Sequence, residues 1–258
     1  TNLMLNILIN GYLGNMGQAV VVALNSCKDF NLIGSIDINS ENSENTFKNF
    51  KDIPMSKLES VDCLVDFTNS SGLSEIAEQV LPNKIPLVSG STGYSTESEN
   101  RIRELSSKFK VGVALCSNFS TGAILLGHLG KIAANFYDYV EIIESHHENK
   151  LDAPSGTSIS LAKSIASGKI ENFNKVDSKV NKVINTRGGE AHGISIHSIR
   201  TPGVIAKHEL IFAAPGETVN LVHNSSDRAS FMPGVLKAIR HVNMNPKFTL
   251  GLEDILGL

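Results

Sequence analysis

The sequence predicts an α/β fold, with a parallel sheet alternating with helices in the first half and an open mixed or antiparallel sheet in an α+β second half. Three observations predict it. A buried apolar run near the N-terminus leads into a glycine triplet and a helix, short apolar runs then alternate with helical patterns, and from Val180 onward β-rich runs succeed one another between glycine turns. Alternation of strands and helices argues for βαβ units, and runs of successive strands argue for hairpin-type pairing.

Leu3 to Ile9 reads as a buried strand, followed by Gly11, Gly14 and Gly17 at a spacing of three and a helix beginning near Met16. This is a GxxGxxG variant of the dinucleotide fingerprint, in which glycines permit a tight turn and let a pyrophosphate reach the helix N-terminus. A second strand, Asn31 to Ile38, ends in Asp37, twenty residues after Gly17, where an acid is expected to hold the adenosine ribose hydroxyls. A Rossmann-like unit follows, with cofactor contacts expected at Gly11, Gly14, Asn15, Met16, Gly17 and Asp37. The Asp37 carboxylate repels a 2′-phosphate and the next residue is Ile38, not an arginine that could pair with one. NADH is therefore expected to serve at least as well as NADPH, with Lys48 and Lys51 the cations that could swing toward a phosphate. Ser40 to Asn49 reads as a surface loop.

Val61 to Thr68 is an apolar run closing on a polar end, as suits a parallel strand buried on both faces. Gly72 to Val80 reads as a helix, Ile85 to Ser89 as a strand, Gly90 to Gly93 as a turn, Asn100 to Phe109 as a helix and Val111 to Cys116 as a strand. In an open parallel sheet the carboxyl ends of strands line the ligand crevice. That rule brings Phe67, Thr68, Gly90, Ser91, Thr92, Ser117, Asn118 and Phe119 to one edge as the cofactor rim.

Tyr139 to Glu144 reads as a strand that delivers the segment ESHHENKLDAPSGT, Glu144 to Thr157. His146 and Lys150 are its two groups able to carry positive charge near neutral pH. Pro154 restricts Ala153, Ser155 can cap, and Gly156 lets backbone N–H groups approach a ligand. The helix from Ser155 to Ser167 repeats apolar residues at Ile159, Ala162, Ile165 and Ala166 and stops at Gly168, so its N-terminus is aimed back at the histidine and lysine. A helix N-terminus attracts carboxylate or phosphate, which makes the segment a carboxylate clamp beside a general acid. Taken singly, a histidine in a polar loop is usually a solvated residue; the inference rests on the cluster. No metal is expected, because His146 and His147 would point to opposite sides of an extended chain and there is no HExxH pattern.

Val180 to Asn185, Ile194 to Ile199, Ala206 to Phe212 and Thr218 to Asn224 read as the strands of the second sheet, and Asp227 to Val242 as a helix with a Pro233-Gly234 irregularity. With 258 residues, 41% of them hydrophobic, the chain can build one large or two modest cores. Lys+Arg 23 against Asp+Glu 26 provides no broad basic surface, which argues against nucleic acid. Cys27, Cys63 and Cys116 lie far apart without a CxxC, as for neutral thiols in a reducing cytoplasm. Neither a signal peptide nor a membrane span is expected.

The chain resembles the dihydrodipicolinate reductases of bacterial lysine and diaminopimelate synthesis over nearly its whole length. The resemblance is carried by GxxGxMG at Gly11 to Gly17, DFT at Asp66 to Thr68, G-[ST]-T-G at Gly90 to Gly93, NFS at Asn118 to Ser120 and E-x-H-H-x-x-K-x-D-A-P-S-G-T at Glu144 to Thr157. It implies a Rossmann-like dinucleotide-binding domain, residues 1–120 plus 229–258, and an inserted substrate-binding and tetramerisation domain, residues 121–228. It further implies His146 as general acid, Lys150 as its catalytic and substrate-binding partner, and His147, Ser155, Gly156 and Thr157 as dicarboxylate contacts. NADH or NADPH would be the cofactor, hydride would pass to C4 of the cyclic imine dicarboxylate, and the domains would close over both. Asn69 after DFT, where an arginine is often found, and Ile38, where NADPH-preferring members carry one, put phosphate-specific contacts in doubt. Another NAD(P)-dependent reductase or amino-acid dehydrogenase of the same architecture, or a silent nucleotide-binding regulator, are the alternatives; the first predicts that His146 and Lys150 are dispensable with this substrate.

Overall fold

The computed structural model describes residues 4–184 and 186–258. The chain divides into two compact units, one running to Ser120 and resumed by Phe231–Leu258, the other spanning Thr121–Ser230.

In the first unit, β1 (Leu5–Asn10), β2 (Phe30–Ile36), β3 (Thr46–Phe47), β4 (Cys63–Asp66), β5 (Leu87–Ser89), β6 (Val113–Leu115) and β12 (Phe248–Leu250) form one sheet in the order β12-β6-β5-β4-β1-β2-β3. Each pair of neighbouring strands in this sheet runs parallel. Because both faces are covered, the central strands are apolar throughout, and Ile7, Leu8 and Ile9 are fully buried. α3 (Ser70–Val80) and α4 (Thr96–Phe109) contribute Leu73, Val80, Ile102 and Leu105 to a core with Leu8, Leu64 and Leu87. α1 (Asn15–Asn25) packs against β2 and against α7 (Met232–Met244), which also lies on β4, β5 and β6. Two helices of one turn, α2 (Met55–Leu58) and α8 (Glu253–Leu256), complete the unit. Strand order reverses between β1 and β4, the switch point at which open α/β sheets hold their ligands.

The second unit carries a five-stranded sheet ordered β11-β10-β7-β9-β8, from β7 (Tyr139–His146), β8 (Gly189–Ala191), β9 (Ile194–Arg200), β10 (Ala206–Ala214) and β11 (Glu217–Ser225). β7 pairs parallel with β9 and antiparallel with β10, so the sheet is mixed. Alternate residues Val140 and Ile142 of β7 join Leu210 and Phe212 in a core closed by Leu126 of α5 (Thr121–Ala133) and by Leu161 and Ile165 of α6 (Gly156–Ala166).

Four local expectations are corrected. The run expected as a strand from Val180 to Asn185 forms none over residues 180–184, Asn185 lying outside the described residues, and the sheet edge is Gly189–Ala191 instead. Val180, Val183 and Ile184 are exposed, so β-branched residues there have no half-buried surface to fit. Within the expected surface loop from Ser40 to Asn49, Thr46–Phe47 joins the sheet because Phe47 buries its ring. α4 starts four residues before the expected Asn100, at Thr96, where Ser95 accepts from the Ser98 N–H and Glu97 and Glu99 occupy the first turn. Residues 227–242 are not one helix: a 3₁₀ turn, Arg228–Phe231, precedes α7. Cys63 and Cys116 are buried and unpaired, and burial pushes both thiols up, Cys116 to about 12, so they are neutral. Among the described residues no helix is long and apolar enough to cross a membrane.

Candidate active site

In the first unit the loops after β1 and β4 meet at the switch point. Gly11, at φ +81°, sits so close to the next loop that a Cβ would lie 2.7 Å from the Phe67 carbonyl oxygen. Gly17, inside α1, packs so tightly on the turn that a Cβ would lie 2.2 Å from the Gly11 carbonyl oxygen. The helix begins at Asn15 and Met16 with Gly14 as its cap; no side chain bonds the cap and no acid stands in the first turn. Its positive end therefore fits a pyrophosphate. Asp37, directly after β2, accepts from the Leu13 N–H at 3.2 Å and from the Asn39 N–H at 3.0 Å, joining the acid to the glycine turn.

Beside this turn lie the ends of β4, β5 and β6. Phe67 and Phe119 stack at a tilt with ring centroids 5.6 Å apart. Thr68 and Thr92 are exposed, Ser91 is buried, and Gly90 donates its N–H to the Asp66 carbonyl at 2.9 Å. Ser117 is exposed, and Asn118 Oδ1 accepts from the Ser120 N–H at 2.8 Å, fixing the turn after β6. Beneath them Asp66, fully buried, accepts from Asn10 Nδ2 (2.9 Å) and from the hydroxyls of Thr68, Ser89 and Ser91 (each 2.7 Å). Asp66 stands in the DFT motif, whose sequence carries no signal of this buried cluster.

In the second unit β7 ends in Glu144, Ser145 and His146, and period 2 places Glu144 and His146 on one face. Glu144 is completely buried and binds His146 Nδ1; Arg200 donates to it at 2.9 and 3.1 Å. Burial works against ionisation of Glu144, but the bonds from Arg200, Ser198 and His146 outweigh it and hold the carboxyl below its usual range. Burial likewise pushes the His146 imidazole down, while Glu144 acts in the opposite direction. The His208 ring meets that of His146 edge-on at 5.3 Å, and burial lowers His208 to about 4. His147 is half-buried beyond the strand, and the turn that follows closes with a bond from the Lys150 N–H to the His147 carbonyl at 3.2 Å. Lys150 Nζ pairs with Asp152 Oδ1 at 2.7 Å.

Ser155 caps α6, accepting from the Ser158 N–H at 3.1 Å, and its hydroxyl lies 3.3 Å from His208 Nε2. Gly156 and Thr157 open the helix; a Cβ on Gly156 would meet nothing within 4 Å, so that side is open to a ligand. Glu144, Arg200 and His208 were missed as parts of the site. Glu144 stands two residues before His146 on a strand, a spacing that could have revealed it; Arg200 and His208 come from strands far along the chain and carry no local signal.

The first unit matches the model for the N-terminus of dihydrodipicolinate reductase over residues 5–119, and the model for its C-terminus matches residues 122–256. A 4-hydroxy-tetrahydrodipicolinate reductase from Lactobacillus helveticus is 38% identical, covering 97% of this chain and 98% of its own, and one from Dehalococcoides mccartyi is 36% identical over 98% and 99%. A dipicolinate-bound dihydrodipicolinate reductase from Paenisporosarcina sp. TG-14 superposes with a TM-score of 0.88 at 31% identity, covering 98% of this chain and all of that one. GenD2 from gentamicin A biosynthesis, solved with NAD, reaches a TM-score of 0.63 at 11% identity and shares the fold alone. The chain belongs to the dihydrodipicolinate reductase family, NAD(P)H-dependent oxidoreductases of lysine biosynthesis.

Proposed function

We propose that this chain reduces dihydrodipicolinate, the form that 4-hydroxy-tetrahydrodipicolinate takes on losing its 4-hydroxyl as water, to tetrahydrodipicolinate, with hydride added at C4 and a proton delivered to C3 by His146. The observation that carries this reading is the buried His146, held at Nδ1 by Glu144 and followed within one segment by Lys150 and the Ser155-capped α6. Bound at the first unit, a nicotinamide supplies the hydride. Gly11, Gly14, Asn15, Met16 and Gly17 would receive the pyrophosphate, Asp37 the ribose, and Phe67, Thr68, Gly90, Ser91, Thr92, Ser117, Asn118 and Phe119 the nicotinamide end.

The second unit would hold the acceptor. Gly156 and Thr157 would present the N-terminus of α6 to one carboxylate, and His147, Ser155 and Lys150, the last exchanging its Asp152 partner for the substrate, would contribute donors. Addition of hydride at C4 leaves electron density at C3. His146 Nε2 gives its proton there, forming the C3–H bond, and the imidazole is left neutral with its Nδ1–H on Glu144. Asp37 and the exposed Ile38 favour NADH at least as much as NADPH, since neither can pair with a 2′-phosphate. We also assign the second unit to assembly as a homotetramer, supported by an apolar hollow lined by Leu129, Ile132, Phe136, Val219 and Leu221. The test of the reaction is loss of nicotinamide absorbance when purified protein meets dihydrodipicolinate made in place by its synthase, with NADH and NADPH side by side. Rapid oxidation is expected; none from folded protein that binds cofactor would indicate another reductase.

A further inference from the structure

We propose that Glu144 and Arg200 are a positioning pair that fixes His146 in its proton-donating orientation and ties it to the loop entering α6. The inference rests on the reading of His146 as proton donor. Glu144 is fully buried, and its carboxylate takes His146 Nδ1 on one side and both terminal nitrogens of Arg200 on the other. Arg200 Nη2 also donates to the Asp152 carbonyl at 2.6 Å, four residues before the first residue of α6. One guanidinium therefore holds both the carboxylate that orients the histidine and the loop that presents the helix N-terminus. Backbone pairing reinforces this: His146 lies opposite Arg200 in the β7–β9 register, and the Thr201 N–H bonds the His146 carbonyl at 3.1 Å.

The consequence is a defined tautomer. With Nδ1–H committed to Glu144, the transferable proton resides on Nε2, and after transfer the neutral ring already carries its remaining hydrogen on the correct nitrogen. An isolated carboxylate at the Glu144 position would be too costly to keep ionised and would take up a proton; the bidentate Arg200 fork keeps it charged. Lys was not an equivalent choice for this position, since a single ammonium cannot bond both carboxylate oxygens in one plane and the Asp152 carbonyl as well.

Among the described residues, the charged or titratable groups facing His146 are Glu144 from its own strand, Arg200 from β9, Lys150 from the following turn and His208 from β10. Glu144 raises the imidazole while the cations lower it, so removing the Glu144 charge lowers it further. The protonated donor is then lost at lower pH, and the alkaline limb of kcat/KM moves down the pH axis.

The experiment compares wild type, Glu144→Gln, Arg200→Lys and His146→Ala in the holoenzyme. It measures kcat/KM against pH, NADH affinity by calorimetry, and the ¹⁵N shifts of the His146 ring. Wild type is expected to show the Nδ1–H tautomer when neutral. Glu144→Gln and Arg200→Lys should each lower kcat/KM about tenfold or more, a part of the general-acid factor, with the alkaline limb displaced in Glu144→Gln and NADH affinity unchanged. An Nε2–H tautomer in wild type, or unaltered pH profiles in both variants while His146→Ala is inactive, would overturn the positioning role and leave the donor assignment standing. Wild-type turnover in His146→Ala would sink the donor assignment instead, and the ring shifts would still decide whether the pair sets the tautomer. Should Glu144→Gln fail to fold, Arg200→Lys still tests the pair through its loss of kcat/KM at unchanged NADH affinity and through the ¹⁵N shifts of its His146 ring.

Discussion

Ser91 donates its hydroxyl to the buried carboxylate of Asp66 at 2.7 Å, and Ser89 bonds the same oxygen at the same distance. With Asn10 and Thr68 on the other oxygen, Asp66 draws together the ends of β1, β4 and β5 and the turn that follows β5. No Lys or Arg pairs with it among the described ion pairs, so four neutral donors do the work of a counter-ion. Asp66→Ala leaves those donors unpaired in a dry site, at about 1–3 kcal/mol for each that water cannot reach. We expect a loss of several kcal/mol by urea unfolding, and weaker NADH binding in any fraction that remains folded; a change under about 1 kcal/mol would show the cluster to be incidental.

Asp37 bonds the Leu13 and Asn39 N–H groups and is followed by a highly exposed Ile38. Replacing the pair as Asp37→Ser with Ile38→Arg removes a negative charge and adds a fork that fits phosphate. The ratio of kcat/KM for NADPH to that for NADH should rise by about tenfold or more, the equivalent of roughly 1.4 kcal/mol. An unchanged ratio would mean that adenosine phosphate selection lies elsewhere.

His208 is 3% exposed and its pKa is lowered to about 4, chiefly by burial. A histidine depressed in the folded state binds its proton more readily unfolded, where the value is near 6.5, so its contribution is present above that value and is lost as pH falls toward 4. The full loss is on the order of 3 kcal/mol. Urea midpoints measured from pH 7 to pH 4 should fall in wild type and fall less steeply in His208→Leu; parallel curves would contradict the assignment.

Much of the first unit was legible in sequence because its signals are local. The glycine triplet sits between an apolar strand and a helix, and each strand end is marked by a polar or glycine turn within a few residues. Val180 to Ile184 misled because β-branched residues report a strand only where a sheet face awaits them. Phe47 was overlooked because a two-residue strand has no period to read. In the site, the His146 and α6 segment was visible as one continuous stretch. Arg200, fifty-six residues from Glu144, could be placed only once β7 and β9 were seen to pair.

Single-turnover NADH oxidation by wild type, His146→Ala and Lys150→Ala, with dihydrodipicolinate generated in place, measures most directly whether a histidine at the end of β7 protonates the substrate. His146→Ala and Lys150→Ala are each expected to lower the rate by about two or more orders of magnitude, as loss of a general acid or an electrostatic clamp does, with NADH binding retained. Wild-type rates in either variant would show that the residue replaced has no part in the reaction.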